Sequence, residues 1–130
     1  MKANELMIGD YVSVKPSKMP IKIAAVHHKK VAYHACTNRL TWIRESLIEP
    51  ITLSVEILKK NGLEEDNHGQ LYGEYFDEDS NDDLEITFDS KTGEVWWSYN
   101  WDEYRIIRLK YVHQLQQALR LCGIDKTIEL

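Results

Sequence analysis

The chain has 130 residues, of which 43% are hydrophobic, 10% aromatic and 28% charged, and its formal net charge is -5. That composition supports a real core and excludes a disordered or low-complexity chain, while no apolar run approaches the ~20 residues of a membrane-spanning helix. Two cysteines are too few for a disulfide framework, and the start Met1-Lys2-Ala3-Asn4-Glu5 is charged too early for a secretory signal, so a reduced, cytoplasmic protein is expected.

The charge is uneven along the chain. Residues 1–50 hold eight Lys and Arg against four Asp and Glu, a net of +4, whereas residues 51–130 hold eight against seventeen, a net of -9. His27, His28 and His34 also fall in the basic part. Such an asymmetry serves either attraction between two halves of one molecule or a basic face for a polyanion.

In chain order, Tyr11–Val14, Ile21–Val26, Val31–Cys36 and Leu40–Ile43 read as short strands, rich in β-branched and aromatic residues and separated by turn-forming stretches. Pro16 and Pro20 mark a loop or an edge, because proline donates nothing to a ladder. This spacing predicts a small β-barrel-like unit over residues 1–50. It is too small to be comfortably stable alone, and is therefore expected to pack on the rest of the chain.

Glu49-Pro50 marks the boundary, and residues 51–130 predict an α+β unit of helix, antiparallel meander and helix. Ser54 is an N-cap, Leu53 and Leu58 are placed for a hydrophobic staple, and Gly62 supplies the left-handed stop. Glu56 and the pair Lys59-Lys60 match the helix dipole. Strands follow at Leu71–Phe76, Leu84–Phe88, Glu94–Tyr99 and Tyr104–Arg108, with a tight turn over Asp89–Gly93. The closing helix, Lys110–Cys122, sets Val112, Leu115, Leu119 and Cys122 on one stripe and His113, Gln114, Gln116, Gln117 and Arg120 on the other. Lys126–Leu130 reads as a returning edge strand.

No constellation in the sequence carries catalysis. The six glycines form no phosphate loop, no serine sits in a nucleophile elbow, and no Cys-x-x-Cys or i, i+4 histidine pair is present. Cys36, with His34 two residues away, reads as a small core residue in preference to a nucleophile. Asp77, Asp79 and Asn81 imitate the first liganding positions of a calcium loop. However, Asp82 stands where the turn requires Gly and Phe88 where the bidentate Glu belongs, so a solvated loop is expected. No catalytic, cofactor or metal-binding residue is assigned, and the chain is expected not to be an enzyme.

The aromatic residues are the most unusual feature. Val95, Trp97, Tyr99 and Trp101 alternate with Trp96, Ser98 and Asn100, so the larger set is expected to face the helices. That leaves Trp96 on the opposite face with Tyr72, Phe76 or Ile107, covered by the N-terminal half or by a second copy. The leading functional expectation is a non-catalytic protein-interaction or accessory module. It would touch a protein partner through Trp96, Tyr72 and the acidic hairpin region, or self-associate. The alternative is nucleic-acid binding by the basic unit, with Lys29, Lys30, Arg39 and Arg44 on phosphates and Trp42 as a stacking surface.

Three blocks carry a family resemblance: Met1-Lys-Ala-Asn-Glu-Leu-Met-Ile-Gly-Asp-Tyr-Val12, Ile48-Glu-Pro-Ile-Thr-Leu-Ser-Val-Glu-Ile-Leu-Lys-Lys-Asn-Gly-Leu63, and Tyr111-Val-His-Gln-Leu-Gln-Gln117 preceded by Lys110. In this order they resemble a family of small uncharacterised proteins of Bacteroidales bacteria and their phages. The segment Ala118–Gly123 departs from the aromatic residues and Thr-Gly with which members continue. The resemblance implies a cytoplasmic bacterial protein of a kind carried by mobile elements. It brings no assigned activity and hence no catalytic residue.

Overall fold

The computed structural model describes every residue except 37, 69, 78–81, 90–93, 100, 101, 108, 122 and 125, and within 74–85 and 94–107 it describes the backbone without the side chains. Two compact units result, Met1–Thr52 with Tyr111–His113, and Leu53–Lys110 with Gln114–Leu130. The first unit therefore runs two residues past Pro50 and includes a short segment from the far end of the chain. Together the elements make an α+β protein built on antiparallel sheets. Among the described residues no helix is long and apolar enough to cross a membrane.

In the first unit the strands are β1 (Tyr11–Val14), β2 (Met19–His27), β3 (Lys30–His34), β4 (Leu40–Arg44) and β5 (Ile48–Pro50), in the order β4-β3-β2-β1-β5. The long β2 serves two ladders, pairing Met19–Lys22 with β1 and Ile23–His27 with β3, with a register shift between Ile23 and Ala25. A bulge of this kind bends a strand and increases its twist, so one strand can belong to two differently inclined sheet halves. Pro20 opens β2 where only β1 flanks it, so its missing N–H costs no ladder bond. Among the described residues no ladder joins the edge strands β4 and β5, and the sheet is not closed.

One face of this sheet buries Val12, Ile21, Ile23, Val31 and Ile48, with Ala3 and Leu6 from the N-terminal segment. A one-turn 3₁₀ helix, Ala3–Glu5, is tied down where the Ala3 amide donates to a Glu45 carboxylate oxygen at 2.8 Å. Buried Asp10 accepts from the Met7 amide at 2.8 Å and so stabilises the turn leading into β1. The turns between strands use left-handed backbone at Lys18, Lys29 and Asn38. Only asparagine among these is a residue type enriched there.

In the second unit α1 (Val55–Lys60) starts at Ser54, whose hydroxyl accepts from the Ile57 amide at 3.2 Å. It ends in a Schellman arrangement, with Leu63 N–H donating to Leu58 O and Gly62 N–H to Lys59 O, and with Gly62 at φ 96°. Strands β6 (Glu64–Glu65), β7 (Gln70–Asp77), β8 (Asp82–Asp89), β9 (Glu94–Tyr99) and β10 (Asp102–Ile107) form an antiparallel sheet in the order β10-β9-β8-β7-β6. Helix α2 (Val112–Leu121) follows, its first two residues belonging to the first unit.

Three expectations are corrected here. Lys126–Leu130 is not a strand. Instead Asn61, just past α1, holds the segment with its side chain: Nδ2 donates to Glu129 O and to Ile57 O, and Oδ1 accepts from Glu129 N, each at 2.7 Å. A carboxamide offers the same donor–acceptor pair as a strand neighbour, so the tail is paired without a ladder. His113 and Gln116, assigned to the polar side of α2, are both buried, because the helix is covered over a wider arc than its apolar stripe. Cys36 lies in an exposed turn and fills no core, since β3 stops at His34.

Candidate functional site

The outward face of β2, β3 and β4 carries two of the basic residues singled out in the sequence, Lys30 and Arg44, together with His27. Ladder partners face the same side of a sheet, and the register sets His27 opposite Lys30 and Lys30 opposite Arg44. A row of three basic side chains therefore crosses the three strands. The next row is Ala25, Ala32 and Trp42, in which the indole is the one large side chain. Trp42 is 45% exposed. Lys30 Nζ lies 5.2 Å from the centre of its ring, and His27 meets it edge-on with ring centres 6.3 Å apart.

No carboxylate belongs to these rows, and among the described residues neither Lys30 nor Arg44 is in an ion pair. Like charges directly opposed across a ladder destabilise the sheet. The pair is therefore an arrangement that a bound anion would relieve. Lys29 stands in the turn between β2 and β3, where its carbonyl accepts from the Glu45 amide. Beside it a recess of about 350 Å³ is lined by Lys2, Asn4, His27, His28, Lys29 and Glu45. Arg39 is not part of this group. It sits in the turn before β4, five residues from Arg44, or roughly 17 Å along an extended strand.

A second surface in the first unit was not anticipated. Exposed Ile8 and Met19 line an open groove of about 820 Å³ together with Pro20, Tyr33, His34 and Cys36. The nearest sequence signal is the Pro16–Pro20 stretch, whose loop carries Met19 outward. His34 and Cys36 do line the same groove, but among the described residues they share no hydrogen bond that would prime a thiol. Among the described residues no group of His, Cys, Asp or Glu could hold a metal ion. Of the acidic run, residues 78–81 lie outside the described set.

On the second unit, Tyr72 of β7 is 44% exposed. The ladder aligns Tyr72 with Thr87 and Thr87 with Trp96, so the two aromatic residues suggested as partner contacts share one register row. Trp97 and Val95 fall opposite the buried Ile86 and Phe88. The side chains of Trp96 and of its neighbours on β9 and β10 lie outside the described residues, as does the Asp89–Gly93 turn beyond Asp89.

Among the described residues two titratable groups depart from their ordinary values. Burial holds His113 below the usual imidazole range, against the opposing pull of Asp10 and Glu5. Backbone donors from Gln70 and His68 hold the exposed Asp66 carboxyl below its usual range. Both are explained by local structure and neither belongs to the basic face.

No family model matches this sequence, and no curated protein or solved structure matches it.

Proposed function

We propose that this protein is a non-catalytic nucleic-acid-binding module that engages single strands through the outward face of β2–β3–β4. The observation that carries this reading is the row His27–Lys30–Arg44, which contains no carboxylate, lying beside exposed Trp42. The cations Lys30 and Arg44 can pair with phosphates, while an indole offers a π-face to any base, a combination suited to sequence-tolerant binding. The net charge of -5 argues against tight binding only if the acidic residues act at the face. Charges more than about 8 Å away are largely screened at physiological salt.

The first unit is read as a half-open small barrel of the SH3-like kind. Supporting this are the shared, bulged β2, the one-turn 3₁₀ helix Glu45–Leu47 between β4 and β5, and the pairing of β5 with β1. The low cysteine count supports a reducing, cytoplasmic setting.

The test is fluorescence anisotropy of labelled single-stranded oligonucleotides over a salt series, with heparin as a base-free polyanion. Affinity is expected to fall with salt, and Lys30→Glu with Arg44→Glu should reduce the salt slope by about 2. Trp42→Ala should weaken oligonucleotide binding by about 1–3 kcal/mol while sparing heparin. Indifference of binding to the double reversal would overturn the reading.

The apolar groove favours a second reading, docking of a protein segment at Ile8, Met19, Pro20 and Tyr33. A peptide library that yields no binder sensitive to Met19→Glu would set it aside.

A further inference from the structure

The backbone of β4 has one satisfied side and one open side. Ala35 N–H donates to Arg39 O and Glu45 N–H donates to Lys29 O. Both flanking residues, 39 and 45, thus turn their polar groups toward β3. Backbone groups alternate along an antiparallel strand. Thr41 and Ile43 therefore point the same way, while Leu40, Trp42 and Arg44 direct their N–H and C=O groups away from the sheet. Among the described residues none of these three makes a hydrogen bond outside the strand ladders.

Edge strands of this kind are ordinarily blunted by proline, lysine, a bulge or an inward charge. β4, Leu40-Thr41-Trp42-Ile43-Arg44, has no proline, bulge or inward charge; its one charged residue, Arg44, stands at its end, and its pairing with β3 is continuous over all five residues. Leu40 and Trp42 are also about half exposed.

We infer that β4 pairs edge to edge with β4 of a second copy of this chain, antiparallel and about a twofold axis at Trp42. The inference concerns backbone pairing and does not depend on the nucleic-acid reading. The occupant is identified by self-complementarity. Three outward N–H and three outward C=O groups, symmetric about Trp42, meet the same set from the other copy, so each finds a partner. The twofold sets Leu40 against Arg44 of the second copy and Trp42 against Trp42. No like charges are opposed, and an aromatic pair forms at the centre, the cross-strand combination that stabilises sheets. Sliding the register so that Arg44 faces Arg44 would oppose two cations and leave outward groups unmatched.

A five-residue edge buries less than the ~1,000 Å² of a stable interface, so the dimer is weak and depends on concentration. Across the seam each basic row runs on into Leu40 and His34 of the other copy, and the two rows flank the paired Trp42 residues. The dimer uses a strand of the first unit, not the Trp96 face suggested by the sequence.

The experiment is sedimentation equilibrium of the full chain, without nucleic acid, over a wide concentration range. Leu40 is exposed, so both charges are tolerated there without disturbing the core. Leu40→Glu places two carboxylates against two Arg44 side chains and should tighten the dimer about tenfold, while Leu40→Lys opposes like charges twice and should weaken it about tenfold. The double variant Leu40→Lys with Arg44→Glu swaps the charges and should restore association. A monomer at every concentration overturns the inference. So does a dimer whose strength moves the same way, or not at all, in the Glu and Lys variants. Circular dichroism confirms that each variant keeps its sheet.

Discussion

Replacing Asn61 by alanine removes a side chain that joins two distant parts of the second unit. The residue is buried and makes three side-chain hydrogen bonds, all at 2.7 Å: Nδ2 to Ile57 O, Nδ2 to Glu129 O, and Glu129 N to Oδ1. A neutral hydrogen bond contributes about 0.5–1.5 kcal/mol net, and the exposed Glu129 backbone would regain water on the loss, so Asn61→Ala should cost about 2 kcal/mol. Ile128 is almost fully buried and holds the tail by its own apolar contacts. The variant should therefore fold, with a urea midpoint lowered by about 1 M. Asn61→Asp is the sharper probe. It keeps the shape and the acceptor but converts the donor into a carboxylate facing two carbonyl oxygens. At neutral pH it should cost at least as much as alanine. Urea denaturation gives the magnitudes, and hydrogen exchange at the Glu129 amide shows whether the tail has been released. A loss below about 0.5 kcal/mol in Asn61→Ala, or an Asp variant milder than the Ala variant, would refute the assignment of Asn61 as the tail's anchor.

Two further outcomes follow from the same structure. A Cβ added at Gly73 would lie 2.7 Å from Leu63 Cγ and 2.8 Å from Cδ1. Leu63 is buried, so Gly73→Ala should destabilise by about 1–3 kcal/mol through overpacking. Its cost should shrink when Leu63→Ala is present, a coupling that a double-mutant cycle measures. His113 is buried with Nδ1 lacking a hydrogen-bond partner among the described residues, and burial lowers its pKa in the fold. As pH falls through about 6.5 the unfolded chain takes up this proton more readily than the folded one, so stability contributed by the neutral ring is present above that pH and lost below it. Denaturation midpoints between pH 7.5 and 5 should show that loss, and a His113→Leu variant should lack this component. An unchanged profile in the variant would assign the acid sensitivity to other groups.

Features that depend on a few consecutive residues were legible in the sequence. The Ser54 cap, the Gly62 stop and the bounds of β1 and β9 each follow from contacts within about one turn or from strict alternation, which the order of residues alone specifies. Lys29, Lys30, Arg44 and Trp42 could likewise be picked out by type. That His27 joins Lys30 and Arg44 in one row, and that Arg39 does not, depends on ladder register, which the turns and the bulge in β2 set together. Cys36, expected in the core, is exposed, and His113 and Gln116, expected in water, are buried. Lys126–Leu130, patterned as a strand, is served by an asparagine far away in sequence. Local propensity constrains which conformations a segment prefers. What lies against that segment, and therefore its burial and its hydrogen-bond partners, is decided by residues tens of positions away, brought close only when the whole unit packs.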